Sequence, residues 1–376
     1  MSPEILCVDV IEHVAQWDPN TALTQLRAQK PKVLQCSQSS FEVIMDRQAA
    51  GLSWPLRCDA AAVTAQHSQC PELADFYRRL STMDDPPTKP PSHEAVLNYV
   101  KAIAQQPLNG DQAALLRLQG VGLGAPELVT LLQLIGFVTY QARVIQGLKA
   151  LATLQPQFNE TTGTPEATPF VHPAHQAIPG QPVRLNGFTS EPLGWKAWLQ
   201  VLDMNLATPE QIKVLEASHP SAKTSDYYLT LAQQPRILQE RSDLFNAIMY
   251  APGGLSRAER ELASTVVSRV NGCVYCASVH ALRFEQLTKR NDVIAQVFQD
   301  PDTAGTTLRE RSIVQASIDL TLSPADFSER QIQALSTAGL NPAEVLDLIH
   351  SVAIFAWANR LMLNLGEPVF PQPELS

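Results

Sequence analysis

The chain has 376 residues, of which 45% are hydrophobic and 17% are charged. This composition is typical of a globular protein with room for about two domains, and it excludes an intrinsically disordered chain. The net charge of −9 provides no clustered basic surface, so we expect no nucleic-acid partner.

Neither end of the sequence has the pattern of a membrane segment. Glu4 and Asp9 interrupt the apolar residues at the start, which is not typical of a secretion signal. The most apolar late stretch, residues 345–363, contains Asp347 and Arg360 and predicts a buried helix. We therefore expect a cytoplasmic protein with no membrane partner.

The hydrophobic pattern predicts an all-α protein. Apolar residues recur at spacings of three and four through 90–150, 210–300 and 308–366, and strand signals are scarce. Ser256, followed three residues later by Glu259, predicts a capping box that opens a helix. Residues 191–203 and 207–235 are also predicted to be helical.

The chain contains an internal repeat. Residues 39–80 align with 242–284, so that Phe41 matches Phe245 and Cys70 matches Cys273. A second block aligns without a gap at a shift of 217, and there Arg143 matches Arg360. We interpret the repeat as an internal duplication. It divides the chain into a first domain (1–152), a Pro/Gly-rich linker and lead-in (153–206) and a second domain (207–376).

Only two of the six cysteines lie close together in the sequence. They are Cys273 and Cys276, whereas the others are scattered through the first copy (Cys7, Cys36, Cys58 and Cys70). In a reducing compartment, an isolated pair with this spacing is typical of metal binding or redox chemistry rather than of a structural disulfide.

The region around this pair predicts a reactive dithiol. Asn271-Gly272 interrupts the preceding helix, so we expect a new helix from Cys273 that carries Cys276 and His280 on the same face. The first turn of a helix stabilises a thiolate, and His280 lies one turn beyond Cys276, where it can accept the thiol proton. Glu261, on the preceding helix, is the candidate carboxylate that fixes the histidine tautomer.

The first copy lacks this set of residues. Cys58 stands at the position of Glu261, Leu73 at that of Cys276 and Tyr77 at that of His280. Only Cys70 remains, opposite Cys273. This difference predicts a chemical site in the second copy and a scaffold in the first, with ordinary drift as the alternative.

Other interpretations of these residues remain open. The two cysteines, His280 and Glu261 could together bind a metal ion, although zinc sites usually contain a second close ligand pair. Thioredoxin-like chemistry would require a βαβ context, which an all-α chain lacks. His350, Tyr140 and Trp357 are most simply core residues, and Tyr275 either lines the site or packs beside it.

The stretch "GLSRAERELASTVVSRVNGCVYCASVHALRF" resembles the alkylhydroperoxidase D-like group of the carboxymuconolactone decarboxylase superfamily. The shared features are an "ERE" helix followed by N-x-C-x-Y-C and then x-x-x-H, as in the peroxidase-related branch. The resemblance covers roughly 207–368. The first copy resembles the same fold only through the repeat, so the chain resembles a tandem member with one degenerate domain.

The resemblance implies an all-α homo-oligomer whose dithiol site requires no metal and no cofactor. Carried over by position, Glu261 and His280 form a proton relay, Cys276 is the peroxidatic thiol and Cys273 is the resolving thiol. The implied partners are a small-molecule hydroperoxide and an external dithiol reductant. Tyr275 stands where the best-studied branch has a histidine. The rival functions are a lactone decarboxylase-like proton-transfer enzyme and a non-catalytic redox-sensing or assembly protein.

Overall fold

A computed structural model describes residues 9–17, 21–81, 91–153 and 180–371 of the chain. Glu4, Cys7 and residues 154–179 of the predicted linker lie outside these ranges. The described residues are mainly helical, which confirms the predicted all-α class. The helices of the first half are α1 (Val10–Ala15), α2 (Ala22–Ala28), α3 (Pro31–Ile44), α4 (Trp54–His67), α5 (Pro71–Ser81), α6 (Pro91–Gln105), α7 (Gln112–Gly120) and α8 (Ala125–Ala152).

The second half contains nine further helices among the described residues. They are α9 (Pro209–Ser218), α10 (Asp226–Leu231), α11 (Pro235–Met249), α12 (Arg257–Val270), α13 (Val274–Thr288), α14 (Asp292–Gln299), α15 (Leu308–Leu322), α16 (Glu329–Thr337) and α17 (Pro342–Asn364). The described residues also form four short strands, which are β1 (Arg184–Leu185), β2 (Phe188–Thr189), β3 (Gly194–Ala197) and β4 (Gly366–Val369).

Five helices of the first half have counterparts in the second half at the offsets of the repeat, whereas α14 has none among the described residues. The first residues of α4 and α12, and those of α5 and α13, differ by 203. The first residues of α6, α7 and α8 differ from those of α15, α16 and α17 by 217 in each case. These are the offsets of the sequence repeat, as an internal duplication requires. The domain boundaries at 152 and 206 stay a prediction.

The two halves share one hydrophobic core, because α8 packs along α17 and α3 packs along α11. The α8 and α17 helices run antiparallel: Gly136 faces Trp357, and Gly147 faces Ile349. Trp357 is fully buried and donates a hydrogen bond from Nε1 to Gln133 Oε1 at 2.9 Å. The close approach requires a glycine, since a Cβ atom at position 136 would lie 2.0 Å from Trp357 Cδ1.

Helices α8 and α17 are long and apolar enough to cross a membrane by composition alone. In the structure their most apolar windows are 100% and 94% buried within the protein. They are core helices, as predicted for residues 345–363. Tyr140 and Trp357, which occupy matching positions of the repeat, are both fully buried. His350 is also buried, and its Nδ1 lies 3.3 Å from the Tyr140 hydroxyl.

The prediction of a helix for residues 191–203 is wrong. Residues 194–197 form β3, which pairs antiparallel with β4 near the end of the chain, so that Trp195 lies opposite Pro368. Trp195 Nε1 donates to the carbonyl of Met362 at 3.1 Å, and its ring lies against Gly366. Pairing with a distant segment therefore outweighs the local helical pattern. In 207–235, α9 and α10 form as predicted.

Adding a methyl group at Gly136 tests the packing of α8 against α17. We expect Gly136→Ala to lower the free energy of unfolding by about 1–3 kcal/mol, because the new Cβ would overlap the Trp357 ring. Gly120→Ala is the matched control, since a Cβ there meets no atom within 4 Å. It should be neutral or stabilise the protein by up to about 1 kcal/mol. Urea denaturation measures both changes, and equal stability of the two variants would contradict the packing described.

Candidate active site

The turn between α12 and α13 positions the two cysteines. The α12 helix opens with the predicted capping box, in which Ser256 and Glu259 exchange side-chain to backbone hydrogen bonds. After α12, Gly272 takes a φ of +78°, and a side chain at this position would lie 2.5 Å from Leu108 Cδ1 of the first half. Glycine is therefore required both by the backbone conformation and by the contact with Leu108.

Cys273 caps the start of α13 rather than forming its first residue, which moves the predicted helix start by one position. Its Sγ accepts a hydrogen bond from the backbone N–H of Cys276 at 3.4 Å. The two Sγ atoms lie 2.7 Å apart, and both cysteines are free and buried. A disulfide bond of about 2.05 Å would need only a small movement from this arrangement.

The environment of Cys273 favours its protonated form. Burial raises the pKa of Cys273 well above its usual value, and the hydrogen bond and charge of Cys276 raise it further. In the pair, the Cys273 thiol donates its hydrogen to the sulfur of Cys276. Cys273 is thus held as a protonated thiol that faces the sulfur atom of Cys276.

A carboxylate orients the histidine of the site. His280 Nδ1 lies 2.5 Å from Glu261 Oε2, and the carboxylate is only 1% exposed. Arg257 Nε donates to the other carboxylate oxygen at 3.2 Å. The ring of Phe355 meets that of His280 edge-on, with centroids 4.4 Å apart. With Nδ1–H directed to the carboxylate, Nε2 is the ring nitrogen available to accept a proton.

The structure therefore brings Cys273 and Cys276 together at the start of α13 and joins Glu261 to His280 across α12 and α13. Cys276 and His280 lie four residues apart in α13 and so share a face of the helix. Within the described ranges, no group of three or more His, Cys, Asp and Glu side chains is arranged to hold a metal ion.

Three neighbours of the site were not predicted. The i, i+4 spacing of Arg257 and Glu261 on α12 was a signal that could have identified the first of them. Phe355 and Tyr227 reach the site from α17 and α10, which no local pattern reveals. Burial raises the pKa of Tyr227, with Cys276 a further cause, and its hydroxyl has no hydrogen-bond partner among the described residues.

The matching positions of the first half form a different environment. Cys70 directly precedes α5, as Cys273 precedes α13, but it is fully buried and burial raises its pKa to about 12. Tyr77, at the position of His280, donates its hydroxyl hydrogen to Gln141 Oε1 at 2.5 Å. Leu73 takes the place of a second thiol. These side chains pack the core and leave no thiol pair at this position.

Residues 235–316 match the carboxymuconolactone decarboxylase family. This segment is about a fifth of the chain, and it contains Glu261, Cys273, Cys276 and His280. The predicted resemblance to that superfamily, of which the alkylhydroperoxidase D-like group is a part, is therefore confirmed for this segment. No curated protein matches the chain.

Two solved structures are similar to part of the chain. One is an uncharacterized peroxidase-related protein from Silicibacter sp. TM1040, with 23% identity, a TM-score of 0.38, and coverage of 45% of this chain and 91% of that chain. The other is an alkylhydroperoxidase AhpD core, an uncharacterized peroxidase-related protein from Ralstonia eutropha JMP134. Its identity is 21% and its TM-score 0.39, and the match covers 45% of this chain and 96% of that chain.

Proposed function

We propose that the protein is a thiol-dependent hydroperoxidase that reduces hydroperoxides with the Cys273–Cys276 dithiol. The observation that carries the proposal is a pair of free thiols, 2.7 Å apart, whose helix also carries a histidine hydrogen-bonded to a buried carboxylate. The match to the carboxymuconolactone decarboxylase family over the same residues supports it.

In the first step, His280 Nε2 accepts the proton of Cys276, and Glu261 stabilises the imidazolium that results. The Cys276 thiolate attacks the terminal oxygen of the hydroperoxide, and the O–O bond breaks. Cys276 becomes a sulfenic acid, while the alkoxide leaves and receives the proton from His280. The sulfur is oxidised, and the hydroperoxide is reduced to an alcohol.

In the second step, Cys273 attacks the sulfenic acid of Cys276. The two cysteines form a disulfide, and the sulfenic oxygen leaves as water. Because the sulfur atoms already lie within 2.7 Å of each other, this step needs little movement of the backbone. An external dithiol reductant then reopens the disulfide by thiol–disulfide exchange. The cycle as proposed uses no metal and no cofactor.

A lactone decarboxylase-like reaction would have no use for two adjacent thiols, and so it is the weaker candidate. A redox sensor would use the same disulfide but would not turn over, which the experiment below distinguishes. We further propose that the protein works in the cytoplasm as a homo-oligomer. Leu108 packs against Gly272, which supports a role for the first half in positioning the dithiol loop.

Substitution of single cysteines tests the proposal. We expect Cys276→Ser and Cys273→Ser each to abolish steady-state consumption of cumene hydroperoxide with dithiothreitol, because each removes one sulfur of the disulfide. Cys70→Ser is the matched control, since Cys70 occupies the same position in the first half and is fully buried. It should retain the wild-type rate. Equal activity of all three variants, or a single oxidation without turnover in the wild type, would contradict a dithiol peroxidase.

Glu261→Gln tests the proton relay. We expect kcat/KM to fall by about 100-fold or more, because the amide can neither stabilise the imidazolium nor fix the histidine tautomer. Glu259→Gln is the control on the same helix, because Glu259 pairs with Arg309, whereas the carboxylate bonded to His280 is that of Glu261. Peroxide assays on both variants should show the loss only for Glu261→Gln. A comparable loss in both would assign Glu261 a merely structural role.

A further inference from the structure

A polar cavity of about 50 Å³ lies between the two halves, where α6 and α15 end against α8 and α17. Arg143 of α8 and Arg360 of α17 both line it, and they occupy matching positions of the repeat. Asn271, two residues before Cys273, also lines the cavity. The cavity is thus distinct from the dithiol site, although it adjoins the loop that leads to it.

The two arginines are almost completely buried, with 4% and 1% of their surface exposed. Arg143 Nη2 donates to the carbonyl of Thr321 at 2.7 Å, and Arg360 Nη2 donates to the carbonyl of Ala104 at 2.8 Å. These carbonyls belong to the last turns of α15 and α6, whose partial negative charge favours a cation. The guanidinium groups therefore hold the two helix ends in place.

Helix carbonyls do not neutralise the two positive charges. Among the described residues that line the cavity there is no carboxylate. Burial lowers the pKa of Arg143 to about 10, so it remains charged at neutral pH. Burial also lowers the pKa of Arg360, and the charge of Arg143 lowers it further. Buried cations that lack a counter-charge are costly, and an anion in the cavity would remove much of that cost.

Two buried donors at the cavity also lack acceptors. Neither Arg143 Nε nor Ser68 Oγ has a hydrogen-bond partner among the described residues, and Ser68 is only 3% exposed. Both residues line the cavity. A buried N–H or O–H group is nearly always satisfied in folded proteins, so these atoms indicate a missing acceptor. A water could accept both hydrogen bonds, but it would carry no charge.

We propose that this cavity binds one small oxyanion, of the class of sulfate or phosphate, beside the buried side chains of Arg143, Arg360 and Ser68. A single water needs about 10–15 Å³, so the cavity has room for several atoms of that size. Bound there, the anion would join the ends of α6 and α15 and so link the two halves. The proposal does not depend on the peroxidase activity.

Isothermal titration calorimetry tests the site. Sulfate is titrated into the full chain at pH 7, and sodium chloride is used to keep the ionic strength constant. We expect saturable binding at one site per chain in the wild type. Gln106→Glu should weaken binding by more than about ten-fold, because it places a carboxylate at the cavity. Gln106 is exposed, so this variant is expected to fold. Arg143→Gln should remove the saturable heat.

The exposed Arg330 provides the matched control, because Arg330→Gln removes the same charge away from the cavity. It should bind sulfate as the wild type does. No saturable heat from the wild type would mean that the cavity holds only water, and would overturn the proposal. The same affinity in Gln106→Glu as in the wild type, or an equal loss in Arg330→Gln, would place the binding elsewhere and overturn it as well.

Discussion

The antiparallel packing of α8 against α17 is the constraint on which the rest of the structure depends. The helices approach closely because Gly136 leaves space for the Trp357 ring. This contact makes a single core from the two halves. A different face of α17 supports the candidate site, where Phe355 meets the ring of His280 and Asn359 accepts a hydrogen bond from Asn271 at 3.0 Å. A shift between the halves would change the contact of Leu108 with Gly272, which directly precedes Cys273.

The candidate catalytic residues lie in only one copy of the repeat. In the second half, the thiol pair lies at the start of α13. The histidine–carboxylate pair joins α13 to α12. The same positions in the first half hold Cys58, Leu73 and Tyr77, which are fully buried. The first half contributes in another way, because Leu108 lies against Gly272 and Arg143 holds the end of α15. One half thus carries the candidate catalytic groups, and the other contacts the loop and helices on which they lie.

Features that depend on nearby residues were predictable from the sequence. The capping box at Ser256 and the break at Asn271-Gly272 are local signals, and the contact of Glu261 with His280 follows from two consecutive helices packed together. Features that depend on distant contacts were not. Residues 194–197 form a strand only because 366–369 supply its partner. The position of Phe355 beside His280 arises only when α17 packs against α13 within the second half. The cavity shared by two arginines arises only when the two halves pack together.

The central claim is that Cys273 and Cys276 form one reactive dithiol. The most direct test is a single turnover: one equivalent of cumene hydroperoxide is added to the reduced, metal-stripped protein, and the modified cysteines are identified by intact and peptide mass spectrometry. The account predicts rapid formation of a Cys273–Cys276 disulfide, with Cys36, Cys58 and Cys70 still free. If both thiols of the pair remain unmodified after long exposure to the peroxide, the dithiol is not the reactive group and the account is contradicted.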